Sequence, residues 1–187
     1  MGPKRRRRGT RLRIEAPAET GEVNVAEPLP DQIIRKIQDV AELYHRLVIV
    51  AAPSGSGKTA ALQEVSERTG YPRINANLEL SRRLLDLTER QRALQVPRLL
   101  GEIAGAASGD VVLLDNVEVL FDVTLKLDPL QCLLGLARNR TVVVAWNGTV
   151  TSDGAHHSQL SYAEPGHAEY RRYPANDLVV MSPVVTT

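Results

Sequence analysis

The stretch "RLVIVAAPSGSGKTAAL", residues 46–62, constrains the fold more than any other part of the chain. A continuous β-branched apolar run reads as a strand buried on both faces, and it runs without pause into a loop of small residues and then a helical pattern. Seven of the eight letters from Ala52 to Thr59 fit a phosphate-binding loop, with Ala52 where that motif expects glycine. Such a loop lets successive backbone N–H groups converge on phosphate oxygens, helped by the dipole of the helix that follows. The expected binding residues are Pro53, Ser54, Gly55, Ser56, Gly57, Lys58, Thr59 and Ala60. Gly55 and Gly57 permit the backbone path, Lys58 can neutralise the β and γ phosphates, and the Thr59 hydroxyl can serve Mg2+. A methyl group at Ala52 is compatible with the loop as long as its φ stays negative.

The rest of the chain repeats the alternation. "LPDQIIRKIQDVAELYHR" reads as a helix capped by Asp31 with Ile33, Ile37, Val40 and Tyr44 on one face. The helix from Lys58 should stop by Gly70. "PRINAN" suggests a strand, and residues 78–103 are helical in pattern, with a capping box at Thr88 and Gln91 and a break at Pro97. "DVVLLDN" and "TVVVAWN" are buried strands on either side of a helix capped by Asp128 and started by Pro129. A Gly/Ser/His-rich loop then leads to a closing strand in "DLVVMS". Buried strands alternating with helices call for an α/β fold with a parallel sheet sandwiched by helices, and ligands in such sheets bind beyond the carboxyl ends of the strands. The expectation is a P-loop NTPase of the AAA-like additional-strand (ASCE) class, without room after Asn147 for a full lid domain.

Three further positions belong to that expectation. Asp115 ends a run of apolar residues and can hold Mg2+ opposite Thr59, making Thr59 and Asp115 the metal pair and ATP with Mg2+ the expected cofactors. Hydrolysis also needs a group that orients or activates water. The residue after the carboxylate is Asn116, which cannot accept a proton, so either Glu118 reaches in or turnover is slow; Glu118 also reads as a solvated carboxylate at a helix start. Asn147 can bond the γ-phosphate or the attacking water, or simply make the turn before Gly148. The catalytic set is thus Lys58, Asp115, Glu118 and Asn147. Arg138 and Arg140 can act as arginine fingers across a subunit interface, which would make the protein a homo-oligomer, or be solvated. His156, His157 and His167 have no acidic or cysteine partner at metal-site spacing. The segment 161–173, "SYAEPGHAEYRRY", concentrates Tyr162, Tyr170 and Tyr173 with Arg171 and Arg172, and reads equally as a base-stacking or partner-docking loop or as a surface loop anchored by tyrosines.

Charge is unevenly distributed. Residues 1–13 hold seven Lys or Arg and no acid, leaving 16 basic against 22 acidic residues elsewhere, a formal −6. Attraction to DNA would therefore come through the tail or a local patch, with residues 1–28 read as a disordered basic and then Pro/Glu-rich extension and 29–187 as the P-loop domain. The single cysteine, Cys132, excludes an internal disulfide and fits a reducing compartment. With no signal-peptide core and no membrane-spanning run, the expectation is a soluble cytoplasmic protein without a membrane partner.

Taken together, "PSGSGKTA", "LLDNVEVLFD", "LARNRTVVVAWNG" and "LSYAEPGHAEYRRY" resemble the BrxF family, the small P-loop proteins of bacterial BREX bacteriophage-exclusion systems. The resemblance covers roughly residues 30–182. It implies a nucleotide-binding component of an antiviral defence assembly, acting beside a larger ATPase, a DNA methyltransferase and an alkaline-phosphatase-like protein. Carried over residue by residue are nucleotide binding at Gly55, Gly57, Lys58 and Thr59, and the metal at Asp115. Two other classes stay open. One is a small-molecule or nucleoside kinase, against which stands the lack of an arginine-rich lid. The other is a non-catalytic, nucleotide-gated DNA-binding adaptor whose functional part is the basic tail.

Overall fold

The structure is a computed structural model that describes residues 27–152 and 158–183. The basic tail, the His156–His157 pair and the last residues lie outside the described residues. In chain order the elements are α1 (Leu29–Asp39), β1 (Leu47–Ala52), α2 (Lys58–Thr69), β2 (Arg73–Asn75), α3 (Ala76–Leu84), α4 (Glu89–Ala106) and β3 (Val111–Asp115). Two short 3-10 turns, Glu118–Phe121 and Val123–Leu125, lead to α5 (Pro129–Leu136) and β4 (Thr141–Asn147). The chain closes with β5 (Val150–Ser152), β6 (Ser158–Tyr162), β7 (Arg171–Pro174) and β8 (Val179–Met181).

Five strands form one parallel sheet in the order β2-β3-β4-β1-β8. Successive side chains of a strand point to opposite faces, and here both faces are apolar. Val48, Val50, Leu113, Val143 and Ala145 pack with Ile33 and Ile37 of α1 and Leu62 and Val65 of α2. Ile49, Val112, Leu114, Val144 and Trp146 pack with Leu80 of α3, Leu100 of α4 and Leu133 of α5. The sheet is therefore covered by helices on both sides, and truncating a core residue such as Leu114 to alanine is expected to cost about 2–5 kcal/mol.

Local signals set most element ends. Gly70 closes α2 in the left-handed conformation at φ 75°. Thr88 and Gln91 form the capping box, and Asp128 accepts from the Gln131 amide ahead of Pro129.

Four expectations about the helices need correction. Helix α1 starts at Leu29, so Asp31 lies inside its first turn and pairs with Arg68 at 2.6 Å instead of capping. The same helix ends at Asp39, which leaves Tyr44 outside it, 73% exposed, with the Arg138 guanidinium 5.6 Å above its ring. Pro97 sits within α4 without ending it; it lies on the exposed side, where its missing N–H orphans one carbonyl of the preceding turn to water. The 78–103 helical pattern is two helices, broken at residues 85–88 by the cap at Thr88 and not by the proline.

The stretch after Asn147, expected to be a loop, contains a three-stranded antiparallel sheet, β5-β6-β7. Leu160 and Tyr162 of β6 enter the core beneath it. Tyr162 stacks on Phe121 with ring centroids 3.3 Å apart, and Tyr173 meets Trp146 edge-on at 5.8 Å.

Candidate functional site

The carboxyl ends of the parallel strands converge on a cleft of about 570 Å³. A cavity of similar size between α4 and α5 is lined by Leu100, Gly101, Gly105 and Gly135; chemistry, not size, separates the two. The cleft at the strand ends gathers Lys58, Thr59, Arg73, Asp115, Glu118 and Asn147.

The 53–57 loop leaves β1 and enters α2 through two glycines with φ of 79° at Gly55 and 86° at Gly57. Both angles lie in the region that L side chains rarely adopt, so these two positions need glycine. Ala52 is the last residue of β1, buried and paired with Asn147, and it is not among the positive-φ residues. Its methyl group is thus compatible with the handover from strand to loop, as expected. Gly57 caps α2 without a side-chain hydrogen bond.

Lys58 is 6% exposed. Its ammonium donates to the carbonyls of Ala52 at 2.7 Å and Pro53 at 2.6 Å and to Ser56 Oγ at 3.2 Å. Burial pushes its pKa down from 10.5, and the negative charges of Glu118 and Asp115 oppose that shift. Thr59, on the first turn of α2, donates its hydroxyl to Asp115 Oδ1 at 3.1 Å. The two residues come from elements whose strands, β1 and β3, are separated by β4. One hydroxyl and one carboxylate oxygen make a hard donor set that suits Mg2+.

Asp115 is 2% exposed and fully engaged. Besides Thr59, its Oδ1 accepts from the Asn116 amide at 3.0 Å, and its Oδ2 pairs with Arg73 Nη1 at 3.0 Å. Sequence reasoning missed Arg73. The signal available to it was the register of the weak strand "RIN", which places Arg73 beside Leu113 and Asn75 beside Asp115.

Asn116 follows Asp115 although asparagine cannot accept a proton, and the backbone supplies a reason for it. Its φ is 54°, a left-handed conformation that asparagine tolerates several times better than most residues. Its carbonyl accepts the Asn77 amide at 2.8 Å, tying the end of β3 to the start of α3. Glu118 opens the first 3-10 turn and accepts Asn147 Nδ2 at 2.5 Å. The structure thus brings together Lys58, Thr59, Asp115, Glu118 and Asn147.

Arg138 and Arg140 precede β4, at the opposite end of that strand from the cleft; Arg140 donates to the Ala104 carbonyl. Within one chain they stand apart from the other site residues. His167 accepts from the Glu169 amide at 3.2 Å, and among the described residues no group of three or more His, Cys, Asp or Glu could hold a metal. Tyr162 and Tyr173 pack against the core, so two of the three tyrosines of the 161–173 segment serve as anchors. Burial raises the Tyr162 phenol, and burial with Asp128 nearby pushes Tyr173 up to about 12.

No protein-family model matches the chain, and no curated protein matches it in sequence. The geometry of the cleft therefore carries the functional reading. Among the described residues, no helix is long and apolar enough to cross a membrane.

Proposed function

We propose that this protein is a P-loop ATPase of the AAA-like additional-strand class, binding ATP with Mg2+ in the cleft at the strand ends. The observation that carries the reading is the convergence of Lys58, Thr59 and Asp115 beneath a loop bent by Gly55 and Gly57. The placement of β4 between the loop-bearing strand and the Asp115-bearing strand supports the additional-strand class.

In this reading the backbone amides of residues 54–59 and the Lys58 ammonium hold the β and γ phosphates. Thr59 and Asp115 hold Mg2+, which neutralises charge on the transferring phosphoryl group. Water attacks the γ-phosphorus, the bond to the β-phosphate oxygen breaks, and the proton from water passes to Glu118. Asn147 fixes the Glu118 carboxylate through the 2.5 Å bond and orients it for that role. By the resemblance to BrxF, the protein acts in the cytoplasm within a BREX-like antiphage assembly, beside a larger ATPase, a DNA methyltransferase and an alkaline-phosphatase-like protein. The same reading allows the protein to self-associate, with Arg138 or Arg140 of a second copy completing the site, and lets the tail of residues 1–28 contact DNA.

The test is binding and turnover of ATP and GTP with Mg2+, with and without duplex DNA, by the wild type and by Lys58→Ala and Glu118→Gln. Turnover lost in both variants, with binding lost only in Lys58→Ala, supports the ATPase. Tight binding without turnover makes the protein a nucleotide-gated adaptor, and transfer of phosphate to an added nucleoside makes it a kinase. Absence of nucleotide binding overturns the proposal.

A further inference from the structure

Among the described residues, the Arg73 guanidinium is the one cation lining the cleft that the sequence motif does not account for. It comes from β2, the edge strand next to β3, and its side chain is 30% exposed while that of Asp115 is only 3% exposed. The contact is to Asp115 Oδ2, whereas Thr59 and the Asn116 amide take Oδ1. One carboxylate is thus shared between a fixed set of donors on one oxygen and a single guanidinium on the other.

A divalent cation needs that same carboxylate, and two positive groups beside one buried carboxylate repel each other. Arginine remains charged throughout the physiological range, so it relieves the repulsion by moving and not by losing a proton. Its partial exposure leaves room for that movement, and Gln63, Lys58 and Thr59 line the same cleft. The phosphates that enter with the cation offer the displaced, planar guanidinium bidentate acceptors.

We propose that Arg73 is a positioning residue that competes with Mg2+ for Asp115, so that loading of the metal requires Arg73 to leave the carboxylate. This rests on the nucleotide-binding reading above. It makes Arg73 a brake on metal loading, and it couples the cleft to β2 and, through the Asn77–Asn116 backbone bond, to the start of α3.

The experiment measures binding of a fluorescently labelled ATP to the full chain, first in EDTA and then across a Mg2+ titration. The proteins are wild type, Arg73→Gln, Arg73→Lys and Lys58→Ala, each checked for a cooperative thermal transition. Arg73→Gln is expected to lower the Mg2+ concentration at half-saturation by about 3–10-fold, the size of a modest change in one charge–charge contact. Arg73→Lys, which keeps the charge but not the fork, is expected to fall between the two and serves as the reading if Arg73→Gln does not fold. An unchanged or increased Mg2+ requirement in these variants overturns the inference while leaving nucleotide binding intact. If the wild type binds no labelled ATP, or if Lys58→Ala binds it equally well, the nucleotide reading fails and the inference falls with it.

Discussion

Asn147 Nδ2 donates to Glu118 Oε1 at 2.5 Å, joining the end of β4 to the turn that follows β3. Side chains contributed by two different strand ends are thereby held in one geometry beside the loop of residues 53–57. A carboxylate fixed in this way can accept a proton from water at a set position, whereas a solvated one must be collected from many rotamers.

On the ATPase reading, Glu118→Gln keeps the hydrogen-bonding shape but removes the base. It is expected to lower ATP turnover by roughly 100-fold or more, the usual contribution of a positioned general base, while ATP affinity changes little. Asn147→Ala frees the carboxylate and is expected to give a smaller loss. Phosphate release and labelled-nucleotide binding, measured side by side, check both; equal loss of binding and turnover in Glu118→Gln would assign Glu118 to ground-state binding instead.

Gly148 marks where the small sheet meets the large one. A Cβ there would lie 1.8 Å from the Ser161 carbonyl oxygen, the same oxygen that accepts the Trp146 indole N–H at 2.7 Å. Backbone cannot give way as a flexible side chain does, so Gly148→Ala is expected to destabilise the fold by about 3 kcal/mol. The loss should appear in urea denaturation followed by the fluorescence of Trp146, the single tryptophan.

That junction also shows where sequence reading stops. The buried strands β1, β3 and β4 are legible because each is a continuous apolar run with no polar face. The 53–57 loop is legible because positive φ at Gly55 and Gly57 allows few other residues. "SQLSY" and "RRYP" carry only Leu160, Tyr162 and Tyr173 as inward anchors, too few alternations to separate a strand from a tyrosine-bearing loop. Their pairing depends on a docking surface made by Phe121 and Trp146, residues remote in sequence. Arg73 was hidden for a related reason: the register of β2 against β3 pairs it with Leu113, and its long side chain reaches Asp115 only diagonally, two positions further along β3.

Phe121 links the core to the site. It stacks on Tyr162, meets Trp146 edge-on at 5.0 Å and lies in the same 3-10 turn as Glu118. Phe121→Ala is expected to cost about 3–5 kcal/mol, and to reduce turnover more than nucleotide affinity, because it loosens the turn that carries Glu118 and leaves the loop of residues 53–57 untouched. Phe121→Leu, which refills most of the volume, should restore a large part of both stability and turnover. Denaturation midpoints and phosphate release on the same preparations test the link.

Lys58 sets function against stability. Its burial lowers its pKa from 10.5, so between the lowered value and 10.5 the unfolded chain binds more protons than the folded one. Stability attributable to this group therefore rises with pH through that window, and below it the buried charge remains a cost. The Ala52 and Pro53 carbonyls that receive the ammonium also accept the amides of Gly148 at 3.2 Å and Ser56 at 3.4 Å, so removing the lysine does not orphan them. Lys58→Met is expected to abolish ATP binding and yet to match or exceed the wild-type melting temperature at neutral pH without nucleotide. As pH rises toward 10.5, the wild type should gain on the variant. Thermal melts of both proteins from pH 7 to 10 test this. A wild type that is the more stable at pH 7, and loses that advantage as pH rises, would show instead that the ammonium–carbonyl bonds outweigh the cost of burying the charge.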